Sequence, residues 1–128
     1  MKRSEINKLM DDAVKLFSSH HITLPPFGYW TPRQWKTKGI EYTEIRDNQL
    51  GLDLTDFGFG DYINVGLLMF TVRNGNNDNP TYKKPYAEKL MITKENQITP
   101  MHFHWSKMED IINVAGGSLV IQLYNATD

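Results

Sequence analysis

Pro100-Met101-His102-Phe103-His104-Trp105-Ser106-Lys107-Met108-Glu109 concentrates the side chains best suited to chemistry in this chain. On a strand, residues two apart share a face. His102 and His104 therefore present two imidazoles side by side, with Phe103 on the other face. Glu109 follows five residues after His104, and a turn through Ser106 returns its carboxylate towards them. Two neutral ring nitrogens and one carboxylate suit a divalent first-row metal. A bare His-x-His is more often a pair of exposed strand histidines beside an ordinary acid. The added carboxylate and the Gly116-Gly117 turn favour a metal site here.

The elements that must position this stretch are legible in outline. Ile6, Leu9, Met10, Ala13, Val14 and Phe17 form one helical stripe, with Lys8, Asp11, Asp12 and Lys15 opposite. Together with Ser4 as a cap, they predict a helix over 4–19. Leu24-Pro25-Pro26-Phe27-Gly28-Tyr29-Trp30 forbids a regular helix and predicts an extended, packed arm. Thr31-Pro32 opens a second short helix that carries Trp35 and stops near Gly39. From residue 50 the pattern turns to β. The apolar run 66–73 reads as a buried strand, 74–80 as a loop, 86–92 as a strand and 95–97 as a turn. Residues 99–105, 111–114 and 118–124 read as three more strands. The fold expected is mainly β, a single domain over 1–128: a helical segment and arm over 1–49, then sandwich or barrel strands over 50–128.

Composition narrows the function classes. The 128 residues suffice for one domain, and 40% hydrophobic against 23% charged excludes wholesale disorder. Fourteen Lys and Arg against fifteen Asp and Glu give a formal charge of −1, which points to neither nucleic acid nor anionic lipid. The absence of cysteine excludes thiol nucleophiles, disulfides and Cys-ligated zinc. No apolar run is long enough for a membrane span. The start Met1-Lys2-Arg3-Ser4-Glu5-Ile6-Asn7 lacks the apolar region of a signal peptide. A cytoplasmic protein is expected.

His102-x-His104, Glu109 and Gly116 together match the first signature motif of the cupin superfamily. The glycine that usually opens this motif is replaced by Asn96, which also tolerates the left-handed conformation of a turn. More narrowly, residues 1–7, 24–30, 53–60, 86–89, 99–105 and 109–113 resemble the D-lyxose isomerase family, so the likeness runs along essentially the whole chain.

The resemblance implies a cupin-type jelly-roll barrel and a manganese-dependent aldose–ketose isomerase. Its reaction would interconvert D-lyxose and D-xylulose, with D-mannose and D-fructose as a second pair, through a metal-stabilised enediolate. It implies His102, His104 and Glu109 as metal ligands and a functional lysine at Lys107, the candidate for proton transfer. Lys89 and Asn113 are weaker candidates, for substrate binding. Lys89 faces the barrel interior if Leu90 points out. The family's fourth ligand is a histidine from a later strand, and no histidine follows Gly117 here. The chain therefore resembles the N-terminal portion of a family member, with its barrel incomplete. Unpaired strand edges then predict self-association, with a homodimer as the expected state. The competing readings are a cupin-like module that binds metal or sugar without turnover, and a different cupin activity such as an oxygenase or epimerase.

The remaining motifs have structural readings. His20 and His21 follow the helix end and suit its dipole. Phe27, Tyr29, Trp30 and Trp35 suit core or subunit contacts. Asp53 and Asp56 suit turns and caps. Gly58-Phe59-Gly60 is too short, with no helical pattern after it, to cradle a phosphate.

Overall fold

The apolar stripe near the N-terminus forms helix α1, Arg3–Ser19, in a computed structural model that describes residues 1–125. Ala13 and Phe17 are buried, and Leu9 and Val14 pack against the same core. The helix starts earlier than Ser4 predicts. Lys2 is the N-cap residue, and its backbone N–H donates to Glu5 Oε2 at 2.7 Å. Ser4 thus lies inside the first turn. On the solvent face Lys8 pairs with Asp12 at 2.7 Å.

The C-terminal end of α1 is a Schellman motif, and this revises the reading of His20 and His21. His21 takes a left-handed φ of 59°. Its N–H donates to Ser18 O at 3.0 Å, and the Ile22 N–H reaches back to Phe17 O at 2.9 Å. These bonds satisfy orphan carbonyls of the last turn. Ile22 packs against the core that holds Phe17, the apolar contact that accompanies such ends.

The proline-rich arm packs as expected but is not extended throughout, because Pro26–Tyr29 closes a 3-10 turn. Leu24 is buried, and Phe27 stacks on Phe70 with ring centroids 5.5 Å apart. Gly28 permits this approach, since a Cβ there would lie 2.7 Å from Phe70 Cε2. Thr31 and Gln34 cap helix α2, Pro32–Trp35, reciprocally. The helix ends well before Gly39. Trp30 meets Trp35 and Tyr42 edge-on, and the Lys38 ammonium lies 4.0 Å from the Trp30 ring centre. A further short helix, α3, spans Thr43–Asp47.

Three strands follow: β1 Gly51–Thr55, β2 Leu67–Arg73 and β3 Glu88–Ile92. They form an antiparallel sheet in the order β1-β2-β3. Leu54 pairs with Leu68, which pairs with Ile92; Leu52 pairs with Phe70, which pairs with Leu90. These six share the face packed with α1 and the arm. Asp53, Met69, Met91, Thr71 and Lys89 share the other. The register slips between Thr71 and Arg73 opposite Lys89 and Glu88, a bulge at the end of β2. Loops tie the sheet to α3: Asn48 and Asn74 exchange side-chain to backbone bonds of 3.2 and 3.1 Å, and Tyr82 donates to Asp47 Oδ2 at 2.7 Å.

Beyond β3 the chain turns through Lys94–Gln97, with the Gln97 N–H on Lys94 O at 3.1 Å. Gln97 is buried and its amide donates to Tyr62 O. Ile98 makes a parallel bridge with Val65. Residues 99–125 contain no helix or strand, and 101–125 are exposed throughout. The strands expected over 99–105, 111–114 and 118–124 are therefore not formed, and the sheet stays open. A strand exists only where its N–H and C=O groups have a neighbour to pair with, and no described strand lies beside these segments. No described helix is long and apolar enough to cross a membrane.

Candidate metal centre

The site hangs on the turn that leaves the sheet. Asn96 adopts a left-handed φ of 60°, the conformation expected of it in place of glycine. Past the Ile98 bridge, local alternation persists although no strand forms. The His102 and His104 rings meet edge-on with centroids 4.8 Å apart. Phe103 and Trp105 do the same with each other at 4.9 Å. A bend at Trp105-Ser106 then reverses the chain and returns Glu109 to the histidines.

One donor atom from each of His102, His104 and Glu109 lies within 4.8 Å of the other two. Two ligands of one first-row cation, each at ~2.1 Å, stand no more than ~4.2 Å apart. The widest pair thus needs to close by at most about 0.6 Å. His104 Nε2 to Glu109 Oε1, at 3.3 Å, already suits adjacent positions on one ion. His102 Nδ1 lies 2.9 Å from Pro100 O. A carbonyl only accepts, so in the neutral ring this contact puts the proton on Nδ1 and leaves Nε2 as the nitrogen available to a metal. The Lys107 ammonium donates to Glu109 Oε1 at 2.6 Å. That hydrogen bond, helped by the charges of Lys107 and His104 against slight desolvation, holds the Glu109 carboxyl below its usual range. The donor set is therefore two imidazoles and an ionised carboxylate, which fits a divalent first-row metal.

The other predicted site residues lie elsewhere. Lys89 sits on β3 opposite Thr71, on the sheet face away from α1, because Leu90 points into the core. It is exposed and makes no hydrogen bond or ion pair with the cluster among the described residues. Asn113 is used locally, its amide donating to Gly117 O at 2.9 Å across the turn in which Gly116 has φ 93°. Asp56 Oδ1 accepts from the Gly58 N–H at 3.0 Å, the turn role expected of it. Two open clefts, about 370 Å³ beside Trp35 and Arg46 and about 310 Å³ beside Asn48 and Asn74, do not include the cluster. The Pro100 carbonyl is the one contributor that side-chain reasoning overlooked. The signal for it was proline two residues before a histidine, which holds the chain extended at that point.

A sequence model of D-lyxose isomerase matches residues 1–128. The chain is 46% identical over 127 residues to a D-lyxose/D-mannose isomerase of Escherichia coli O157:H7. It is 43% identical over 127 residues to a D-lyxose/D-mannose isomerase of Serratia proteamaculans. Each match covers 98% of this chain and 56% of the relative. The chain thus spans little more than half the length of these relatives.

Proposed function

This chain belongs to the D-lyxose isomerase family, and on that premise we propose that it carries the metal-binding part of an aldose–ketose isomerase. The substrates are D-lyxose and D-xylulose, with D-mannose and D-fructose as a second pair. The observation that carries the reading is the convergence of His102, His104 and Glu109 donor atoms within 4.8 Å. They belong to a chain nearly half identical to a D-lyxose/D-mannose isomerase.

His102, His104 and Glu109 hold the metal, which is manganese in this reading. Bound there, a divalent cation supplies Lewis acidity for the negative charge that gathers on two adjacent sugar oxygens as the enediolate forms. The protein's own groups do the rest. Pro100 O fixes the His102 ring and its tautomer. Glu109 stays ionised beside Lys107. Lys107, within hydrogen-bond reach of the same carboxylate, is our candidate for the proton shuttle: released from Glu109 as the free amine it would take the carbon-bound proton from one of C1 and C2, and as the ammonium return it to the other.

The sheet face bearing Asp53, Met69, Thr71 and Lys89 is the barrel interior in this reading. A cupin jelly roll closes over it when residues 99–125 pair along its edges, and Lys89 and Asn113 then line the sugar. The protein is a cytoplasmic homodimer. A second reading, metal or sugar binding without turnover, is favoured by one observation: among the described residues Lys89 is exposed and Asn113 bonds locally to Gly117, and neither makes a hydrogen bond to the cluster.

Purified chain, Mn²⁺ and D-lyxose, with ketose measured by chromatography and His104→Ala as control, separate the two. Ketose that disappears in the variant supports the isomerase. Mn²⁺ binding without ketose supports the binding module. The absence of both ketose and Mn²⁺ binding refutes the metal site, and sugar binding without either leaves only a sugar-binding module.

A further inference from the structure

Glu109 Oε1 is contacted by two side chains at once. The Lys107 ammonium donates to it at 2.6 Å, and His104 Nε2 faces it at 3.3 Å. An ion bridging His104 Nε2 and Glu109 Oε1 competes with that ammonium for the same carboxylate oxygen. Lys107 and Glu109 are only two residues apart, just past the bend, and half of the Lys107 side chain is open to water. The lysine therefore has room to swing away and no second acid to hold it among the described ion pairs. We propose that Lys107 is a built-in counter-cation of the metal centre. Its ammonium occupies the Glu109 carboxylate when no metal is bound and must be displaced for a divalent cation to enter. This rests on the reading of His102, His104 and Glu109 as metal ligands, and it assigns Lys107 a positioning role separate from any part in proton transfer.

The consequence is a charge-dependent handicap on metal affinity. Entry of the ion costs one exposed ion pair and leaves an ammonium close to a divalent charge. Removing the charge relieves both. The test is Mn²⁺ affinity of the 128-residue chain, read from the free-ion paramagnetic resonance signal with no sugar present. Lys107→Met is expected to bind Mn²⁺ about three- to tenfold more tightly than the parent. Lys107→Arg, which keeps the charge, is expected to match the parent. An unchanged or weaker affinity in Lys107→Met overturns the proposal while the metal centre stands. Tighter binding in Lys107→Arg as well overturns it too, because charge is then not the cause. A parent chain that binds no Mn²⁺ overturns the metal centre and this proposal with it. Lys107 lies outside the core, so the circular dichroism of both variants is expected to match the parent's.

Discussion

Gly28→Ala tests the packing that seats the proline arm on the sheet. A Cβ at this position would lie 2.7 Å from Phe70 Cε2, 3.0 Å from Phe70 Cζ and 3.2 Å from Leu24 Cβ. Carbon atoms in good contact sit ~3.5–4.0 Å apart, so the ring must retreat by nearly an ångström. It has nowhere to go: Phe70 is fully buried and stacked on Phe27. Overpacking of this kind costs ~1–3 kcal/mol. Alanine's smaller unfolded-state entropy returns ~0.4–1 kcal/mol. The net expectation is a loss of about 1–2 kcal/mol, or a midpoint lower by roughly 3–10 °C for a chain of this size. Urea and thermal unfolding followed by circular dichroism measure it. Gly117→Ala is the control, because nothing lies within 4 Å of a Cβ there and the site is exposed. Phe70→Leu in the Gly28→Ala background should lose less than the sum of the two single changes, since each makes room for the other. Equal stability of Gly28→Ala and Gly117→Ala would refute the reasoning.

Two further predictions concern helix α1. His21→Gly should stabilise the chain by up to about 1 kcal/mol, because glycine takes the left-handed φ of 59° without the Cβ penalty; an unchanged urea midpoint would argue against the Schellman end. Asp12 is held below its ordinary pKa by its hydrogen bond from Lys8. Its folded pKa is depressed, so its contribution is present above the unfolded aspartate value and is lost as pH falls through the folded one. Helicity should therefore fall as pH drops below ~4, and Asp12→Asn should flatten that part of the titration.

Local signals read well from the sequence and non-local ones did not. The stripe from Ile6 to Phe17 predicted α1 because helical spacing is a property of a few successive turns. The run 66–73 predicted β2 because it fills both sides of a central strand. Asn96 was read as a left-handed turn residue, and the bend near Ser106 was expected. The His21 end of α1 was missed because no glycine marks it. Helix α3 was missed because Thr43–Asp47 is too short to show a period. Residues 99–105, 111–114 and 118–124 carry strand-like patterns, yet pattern supplies only half of a strand. The other half is a partner edge, which no window of sequence reports. The gathering of His102, His104 and Glu109 was legible for the opposite reason: the three fall within one short stretch, so a local bend suffices to bring them together.

That locality has a thermodynamic consequence. A ligand stabilises a fold only by its preference for the folded over the unfolded state, and a full preference at a hundred times Kd is worth ~2.7 kcal/mol. Here all three donors lie on a segment that makes no strand and is exposed to solvent. The unfolded chain keeps the same three residues just as close in sequence, so it retains much of the affinity. Mn²⁺ at a hundred times Kd should therefore raise the unfolding free energy of the 128-residue chain by well under ~1 kcal/mol, less than half the full linkage value. Thermal unfolding with and without Mn²⁺ measures it, beside direct titration for Kd. A rise close to the full value would show that binding draws residues 99–113 onto the sheet. The site would then be part of the cooperative core, and the exposed segment seen here would not be the metal-bound arrangement.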